Sequence, residues 1–357
     1  MTKIVLITDT HYGVRGDNVA FLDNTKRFLD DVFFPYVDRN DISHIVHLGD
    51  LVDRRKYINI NTAHRLRKDF LDKLKARNLI DVHFIAGNHD TYFKNTNEIN
   101  SIKELVENAY PSFKTYTKHA ESVSFGGIPI LFIPWICDDN RQQVLNAIQT
   151  TPAQIAMGHL EISGFEMFKG SVVSHGDDRS LFNKFDIVMS GHFHHRSTDG
   201  HIVYLGSHGE FTWSDYDDPR GFHVFCTETR ELTFIENPYK MFKKVWYNDT
   251  DDGFLQKKID YSQYKGALVK VIVTNKTNEY WFDKFIENLE SENPIDIQVV
   301  EDHLNLNLED DAEIINEAES TLDIFKNYID NYELKNINKD KLSKKITELY
   351  NEAISLG

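Results

Sequence analysis

The chain has 357 residues, of which 41% are hydrophobic and 12% aromatic, enough to bury a large core. No stretch approaches the ~18 uninterrupted apolar residues of a membrane span, and the first residues run straight into a strand pattern, so we expect no membrane association and no signal peptide. Two widely separated cysteines exclude a disulfide framework and predict a cytoplasmic protein.

The net charge of −16 disfavours a simple nucleic-acid coat, but this charge is unevenly distributed. Residues 301–357 hold 14 acids and six bases, whereas residues 54–77 hold nine Lys or Arg against two Asp. The whole-chain charge therefore leaves open whether one face of the protein binds a polyanion.

The first 235 or so residues alternate short apolar runs with amphipathic stretches, which predicts an α/β sheet covered on both faces. The predicted strands are 3–8, 44–48, 82–86, 129–133, 153–157, 186–190 and 202–206, and the predicted helices are 18–39, 61–77, 98–108 and 140–149.

A different pattern begins near Asn237-Pro238, where strands over 267–274 and 295–300 and a helix over 279–290 predict a small α+β unit. From about residue 309 the pattern is helical and acidic, with a break at Asn336–Asn338 that predicts a helical hairpin. The apolar stripe of this hairpin is typical of a partner-binding face, although a solvated appendage is the alternative. The predicted domains are 1–236, 237–305 and 306–357.

Metal-competent side chains follow five of the predicted strands. Because the carboxyl ends of strands meet at one edge of an α/β sheet, and residues i and i+2 face the same side, we expect these side chains to converge. Adjacent glycines allow sharp turns and leave room for a metal and a phosphate. The motifs are DTH (9–11), GDLVD (49–53), GNHD (87–90), GH (158–159) and GHFHH (191–195).

Two Asp, one Asn and four His, without Cys, suit borderline-to-hard divalent ions. Seven ligands exceed the need of one ion and predict two, and a shared carboxylate would hold them ~3.5–4 Å apart. Mn²⁺ is the favoured ion, with Mg²⁺, Fe²⁺ or Zn²⁺ as alternatives. The candidate ligands are Asp9, His11, Asp50, Asn88, His159, His192 and His194.

The motif series resembles the signature of calcineurin-like metallophosphoesterases and spans residues 9–194. Segments 158–176, 217–231 and 259–274 are similar to SbcD-type nucleases, which repair DNA double-strand breaks, and among them to the recombination endonuclease subunits of T-even phages. The resemblance implies an α/β sandwich of two mixed β-sheets flanked by helices, with a small α+β capping domain that binds DNA and a C-terminal helical hairpin.

The resemblance also implies roles for the motif residues. Asp50 would bridge two ions, and His89, outside the metal shell, would steady the transition state and protonate the leaving 3′-oxygen after attack by a bridging water. The implied ligands are Asp9, His11, Asp50 and His194 for one metal, and Asp50, Asn88, His159 and His192 for the other.

Several further residues are candidates for supporting roles. We expect Asp53 to orient a ligand histidine or a loop rather than to bind metal, and Arg54 to lie near the substrate. His175 and His208, beside glycine-rich turns, are expected to line the substrate groove. His195 is off the i, i+2 face and is interpreted as a supporting or surface residue.

The basic segment 54–77 has two interpretations. It is either a solvated helix face or, as the resemblance implies, a dimer interface beside DNA, where phosphate contacts give sequence-independent and salt-sensitive affinity. No base-reading motif is visible. The candidate DNA-binding residues are Arg55, Arg65, Lys68 and Lys75.

The resemblance implies a metal-dependent DNA nuclease with 3′→5′ exonuclease action on duplexes and endonuclease action on single strands. It also implies a homodimer within a heterotetramer, with an SbcC-type ABC ATPase bound to the C-terminal region. Two alternatives stay open. One is a phosphomonoesterase or phosphoprotein phosphatase, because GDLVDR also resembles a phosphatase stretch in which arginine clamps phosphate, although GNHD stands where those enzymes carry GNHE. The other is a non-catalytic scaffold.

Overall fold

A computed structural model describes residues 2–77, 81–251, 254 and 259–301, together with 339, 342 and 345. The predicted C-terminal hairpin, and with it the 306–357 region, therefore lies outside the described residues apart from those last three positions. Within the described residues, every helix is too short or too polar to span a lipid bilayer.

The described residues form the following strands and α-helices. The strands are β1 (Lys3–Ile7), β2 (His44–His47), β3 (Asp81–Ile85), β4 (Lys114–Tyr116), β5 (Glu121–Phe125), β6 (Ile128–Ile133), β7 (Ile155–His159), β8 (Glu166–Phe168), β9 (Ser171–Val172), β10 (Ile187–Gly191), β11 (Ser197–Thr198), β12 (Ile202–Tyr204), β13 (Gly221–Cys226), β14 (Leu232–Glu236), β15 (Phe242–Asn248), β16 (Leu268–Asn275) and β17 (Asp296–Glu301). The α-helices are α1 (Val14–Asp17), α2 (Val19–Phe28), α3 (Phe34–Arg39), α4 (Ile60–Arg65), α5 (Asp72–Lys75), α6 (Arg141–Thr150) and α7 (Glu279–Ser291).

Two six-stranded mixed sheets form the main body, as predicted. The first has the order β14-β13-β1-β2-β3-β4. Strands β1 to β4 are parallel, β13 is antiparallel to β1, and β14 is antiparallel to β13. The second has the order β11-β12-β10-β7-β6-β5, with a parallel centre and an antiparallel strand at each edge. The chain is therefore an α/β protein with two mixed sheets.

Successive residues of the central strands point to opposite faces, and both faces are buried. Ile4 and Leu6 of β1 belong to the core between the sheets, whereas Val5 and Ile7 pack under the helices on the outer face. Val144 and Ile148 of α6 cover the outer face of the second sheet. This burial on both faces explains why the central strands are uninterrupted apolar runs.

Three predicted helices differ from the structure in detail. The predicted helix over 61–77 is α4 and α5 joined by a π-helical turn, Leu66–Leu71. The predicted helix over 18–39 is α2 and α3 joined by a π-helical turn, Leu29–Phe33. The predicted helix over 98–108 is shorter, with its π-helical part at Lys103–Glu107, because the side chain of Asn100 accepts the Lys103 N–H (2.8 Å) and starts the helix there.

A smaller three-stranded sheet follows the main body. β15, β16 and β17 are parallel, and α7 connects the last two strands and packs Phe282, Phe285 and Leu289 against them. β16, β17 and α7 match predicted elements, whereas β15 was not predicted. The division into domains at 236 and 305 stays a prediction.

Candidate metal centre

The carboxyl ends of β1, β2 and β3 in the first sheet face those of β7 and β10 in the second. Hydrogen bonds join the two edges: the His192 N–H donates to the Asp9 carboxylate (3.2 Å), and His159 Nδ1 lies 2.8 Å from the Leu48 carbonyl oxygen. The five motifs therefore meet at one place, although they come from two sheets.

One group of ligand atoms contains Asp9, His11 and His194. The Nε2 atoms of the two histidines face each other at 3.0 Å, and they lie 3.8 and 3.9 Å from Asp9 Oδ1. Two imidazole nitrogens and a carboxylate pointing at one another form a donor set for a divalent cation.

The second group contains Asn88, His159 and His192. Asn88 Oδ1 lies 3.0 Å from His159 Nε2 and 2.9 Å from His192 Nδ1, so oxygen and nitrogen donors again converge. The Nδ1 of His159 faces a carbonyl oxygen, so its Nε2 is directed at this group.

Asp50 lies between the two groups and is almost fully buried. Its Oδ2 is 3.2 Å from His159 Nε2 and 3.6 Å from His11 Nε2, while its Oδ1 accepts the His89 N–H at 2.8 Å. Burial by itself would raise the pKa of Asp50, but His159 and His89 hold that pKa well below its usual range. Asp50 is thus a carboxylate anion within reach of both groups.

Four of these side chains sit on a left-handed backbone, which costs about 1–3 kcal/mol at a non-glycine residue. Backbone hydrogen bonds offset part of this strain at the sheet edge: the Asp9 N–H donates to the Gly49 carbonyl and the His11 N–H to the Asp50 carbonyl, each at 3.0 Å. Strain of this kind is concentrated at functional sites. The φ angles are 50° at Asp9, 41° at His11, 55° at Asp50 and 87° at His192.

Gly49 and Gly87 allow the close approach that the motifs predict. Gly49 has a φ of 99°, and a Cβ there would overlap the ring of His159. A Cβ on Gly87 would overlap the carboxylate of Asp50. Any larger residue at either position would displace a candidate ligand.

His89 lies beside the first group, and one of its ring nitrogens, together with donor atoms of His11 and Asp50, is close enough to hold an ion. Its ring is 4.8 Å from that of His11, and its Nδ1 is 2.5 Å from the carbonyl oxygen of Asp53. The Asp53 carboxylate is 3.4 Å from His11 Nδ1, so Asp53 contacts a candidate ligand, as the sequence led us to expect.

Comparison with known proteins agrees with this geometry. The family model for calcineurin-like phosphoesterases matches residues 2–196, more than half of the chain. The chain belongs to this family.

Two relatives show which kind of phosphoesterase this chain is similar to. Exonuclease subunit 1 of Enterobacteria phage T4 is 33% identical over 81% of this chain and 80% of its own length. The SbcD subunit of the SbcCD nuclease of Staphylococcus saprophyticus subsp. saprophyticus is 26% identical over 68% of this chain and 70% of its own length. The resemblance to SbcD-type nucleases drawn from the sequence is confirmed.

The two arginines that follow GDLVD, Arg54 and Arg55, both form polar contacts within the protein. Arg54 Nη1 is 2.8 Å from a carboxylate oxygen of Asp17. Arg55 donates two 3.0 Å hydrogen bonds to the backbone and side chain of Thr91, and burial lowers its pKa. Arg54 therefore has a carboxylate partner in this state of the protein rather than an open guanidinium.

The candidate DNA-binding residues of the following helices differ in environment. Arg65 is fixed by Asp69 at 2.5 Å and by Asp23 at 2.9 Å. Lys68 and Lys75 are exposed to solvent. Only the two lysines have the freedom that a sequence-independent phosphate contact requires.

The remaining histidines of interest separate into exposed and buried positions. His175 is exposed, with Nε2 3.2 Å from the Glu161 carboxylate. The prediction that His208 lines a groove is wrong, because its side chain is buried and its pKa lowered to about 4 by that burial. His195 is half-buried and 2.8 Å from Asp218, in a supporting position.

Asp90, the last residue of GNHD, was not among the predicted site residues. Its carboxylate accepts backbone N–H groups from Gly87 (2.9 Å), Asp50 (2.8 Å) and Leu51 (3.0 Å) and so ties two motifs together. Burial, with the nearby Asp50, raises the pKa of Asp90 to about 6. The available signal was its place directly after Asn88 and His89 in one short motif.

Glu161 and Trp135 were also missed. Glu161 Oε1 is 3.7 Å from His192 Nε2, and the Trp135 ring is 5.2 Å from the His192 ring. Glu161 follows His159 at the i, i+2 spacing that also relates Asp9 to His11, and that spacing was the available signal.

Proposed function

We propose that the chain is a two-metal DNA nuclease, the catalytic subunit of a repair and recombination complex. The observation that carries the proposal is the position of Asp50, whose carboxylate lies within 3.2 Å of a histidine in one ligand group and 3.6 Å of a histidine in the other. A carboxylate so placed suits two ions ~3.5–4 Å apart, the separation of two-metal phosphoryl-transfer sites.

The donor set fits divalent ions, since buried imidazole nitrogens and carboxylates face one another at 3.0–3.9 Å. Mn²⁺ is the ion we favour, with Mg²⁺, Fe²⁺ or Zn²⁺ as alternatives. When bound, such ions acidify a water and neutralise charge that develops on phosphate oxygens. Asp9, Asp50 and Asn88 would supply the oxygen donors, and the four ligand histidines the nitrogen donors.

His89 would act on the leaving group. With Nδ1 directed at the Asp53 carbonyl oxygen, 2.5 Å away, its Nε2 is left to carry a proton to the departing 3′-oxygen. The Asp53 carbonyl fixes the ring orientation, and its carboxylate steadies His11 from behind.

Cleavage of phosphodiesters is favoured over phosphomonoesters or phosphoproteins. The two relatives carry the names exonuclease subunit and nuclease subunit. Arg54, the arginine that a phosphatase would use as a clamp, is paired with Asp17. We propose 3′→5′ exonuclease action on duplex DNA and endonuclease action on single strands, as the resemblance implies.

The proposal is tested with linear duplex DNA in Mn²⁺. Strands labelled at the 5′ end should shorten progressively from the 3′ end, and circular single strands should be opened. A phosphoserine peptide assayed in parallel should stay intact. Peptide dephosphorylation without DNA cleavage would support the phosphatase alternative, and neither activity would support the scaffold.

Metal affinity should depend on pH. Burial opposes a charged His159, yet Asp50 beside it raises the pKa of His159 to about 9. An ion must displace that proton, so Mn²⁺ affinity should fall steadily as the pH falls below about 9. Calorimetry at pH 6.5, 7.5 and 8.5 in two buffers of different protonation enthalpy measures the affinity and the released proton. Constant affinity with no proton release would contradict this account of His159.

The exposed lysines of the basic segment are proposed to contact DNA phosphates. Lys68→Glu and Lys75→Glu should each weaken binding equally for all sequences and lower the slope of log affinity against log salt by about 1. Lys118→Glu, another exposed lysine outside the segment, is the matched control and should leave the slope unchanged. Unchanged slopes in all three variants would assign the segment to a solvated face. Arg65 is a poorer target because its carboxylate partners would lose their counter-charge.

We propose that the chain works with partners in the bacterial cytoplasm. Both relatives are named as subunits of a nuclease. We infer that the partner is an SbcC-type ABC ATPase that binds residues 306–357. A homodimer within a heterotetramer is supported by apolar side chains within the basic segment, where Ile60 is 88% and Tyr57 63% exposed. The mass of the isolated chain in solution tests the dimer.

A further inference from the structure

One ring nitrogen of His192 has no hydrogen-bond partner. Its Nδ1 lies 2.9 Å from Asn88 Oδ1, within the second ligand group, whereas its Nε2 is buried and unpaired. The carboxylate of Glu161 faces that Nε2 at 3.7 Å. A buried nitrogen directed at a carboxylate but not bonded to it requires a physical reason.

The reason follows from imidazole chemistry. A histidine that gives its Nδ1 lone pair to a cation must carry its proton on Nε2, and metal-bound histidines donate that proton to a carboxylate, carbonyl or water. An N–H···O bond needs about 2.7–3.2 Å, so a movement of about half an ångström would close the observed gap.

Glu161 is itself held in place. Its Oε1 is 3.2 Å from His175 Nε2, and its main chain continues directly from β7, two residues beyond His159. It lines a cleft of about 190 Å³ together with Trp135, whose ring packs against His192. The His192 ring is thus bordered by Asn88 on the metal side and by Trp135 and Glu161 behind.

We propose that Glu161 is a positioning residue: it accepts the Nε2–H of His192 and so fixes the tautomer that presents Nδ1 to the second metal ion. This inference rests on the proposed two-metal function. In this arrangement His175 holds the Glu161 carboxylate in position. Neither side chain needs to touch DNA for this role.

The test is a calorimetric titration of the full chain with Mn²⁺, without DNA. Glu161→Gln keeps the shape of the side chain but removes the anionic acceptor, so one of the two Mn²⁺ sites should lose 10–100-fold in affinity while the other is unchanged. Asp177→Asn is the matched control, because Asp177 lines the same cleft and pairs with Arg141 rather than with a ligand. The control should bind both ions like the unmodified chain. Cleavage by Glu161→Gln should recover at saturating Mn²⁺, since in the proposed role Glu161 acts through His192 and not on the substrate.

Equal affinity of Glu161→Gln and the unmodified chain for two ions would overturn the positioning role and leave the proposed function intact. Equal weakening in Glu161→Gln and Asp177→Asn would also overturn it, because the cause would be the general charge of the cleft. An unmodified chain that binds fewer than two ions would instead overturn the two-metal function, and the inference with it.

Discussion

Replacing His89 with glutamine should lower DNA cleavage by about 10²–10⁴-fold, the usual contribution of a general acid, while both metal ions stay bound. The reason is geometric. His89 Nδ1 is engaged by the Asp53 carbonyl oxygen, and the ring lies beside the first ligand group without contributing to its facing pair of nitrogens. Loss of its proton donor therefore affects the leaving group rather than the metals.

Single-turnover cleavage and Mn²⁺ calorimetry on the same preparation separate the two effects. His119→Gln is a matched control, because His119 is an exposed histidine outside the motifs and outside the basic segment. A cleavage substrate whose leaving oxygen needs no proton should restore most of the lost rate in His89→Gln. Loss of a metal ion together with activity would mean that His89 is a ligand, and would contradict its assignment as an acid.

The second large effect is expected at Asp50. Asp50→Asn keeps the size of the side chain but removes the charge that lies near both His159 and His11. Because one carboxylate serves both groups, both ions should be lost, and cleavage should fall by more than the ~10⁴-fold limit expected for loss of a general acid alone.

Asp9→Asn is the informative comparison for Asp50. The Asp9 carboxylate faces the ring nitrogens of His11 and His194 in the first group and meets the second group only through the backbone N–H of His192, so its change should weaken one ion more than the other. Native mass spectrometry at the same Mn²⁺ concentration measures the number of bound ions in both variants. One ion retained by Asp50→Asn would show that Asp50 serves a single site.

Most of the central strands could be predicted because their residues are buried on both faces. Val5 and Ile7 pack under helices and Ile4 and Leu6 between the sheets, which leaves a continuous apolar run in the sequence. β5, at the edge of the second sheet, reads Glu-Ser-Val-Ser-Phe and is half exposed, so it lacks that run. The position of an edge strand depends on its pairing partner, which a single sequence does not reveal.

The convergence of the candidate ligands could be predicted because each lies at or just beyond the carboxyl end of a strand, and the fold brings those strand ends together. Motif position and i, i+2 spacing pointed to Asp90 and Glu161, but their roles could not be predicted, because those roles depend on which backbone groups and ring nitrogens lie beside them in space. The pairing of Arg65 with Asp69 was available from i, i+4 spacing, whereas its contact with Asp23 joins elements far apart in the chain.

The measurement that tests the account most directly is anomalous diffraction from crystals grown with Mn²⁺. Two ions should appear about 3.5–4 Å apart, with the Asp50 carboxylate between them. Asp9, His11 and His194 should contact one ion, and Asn88, His159 and His192 the other. A single ion, or two ions that do not share Asp50, would contradict the two-metal centre from which the proposed nuclease activity follows.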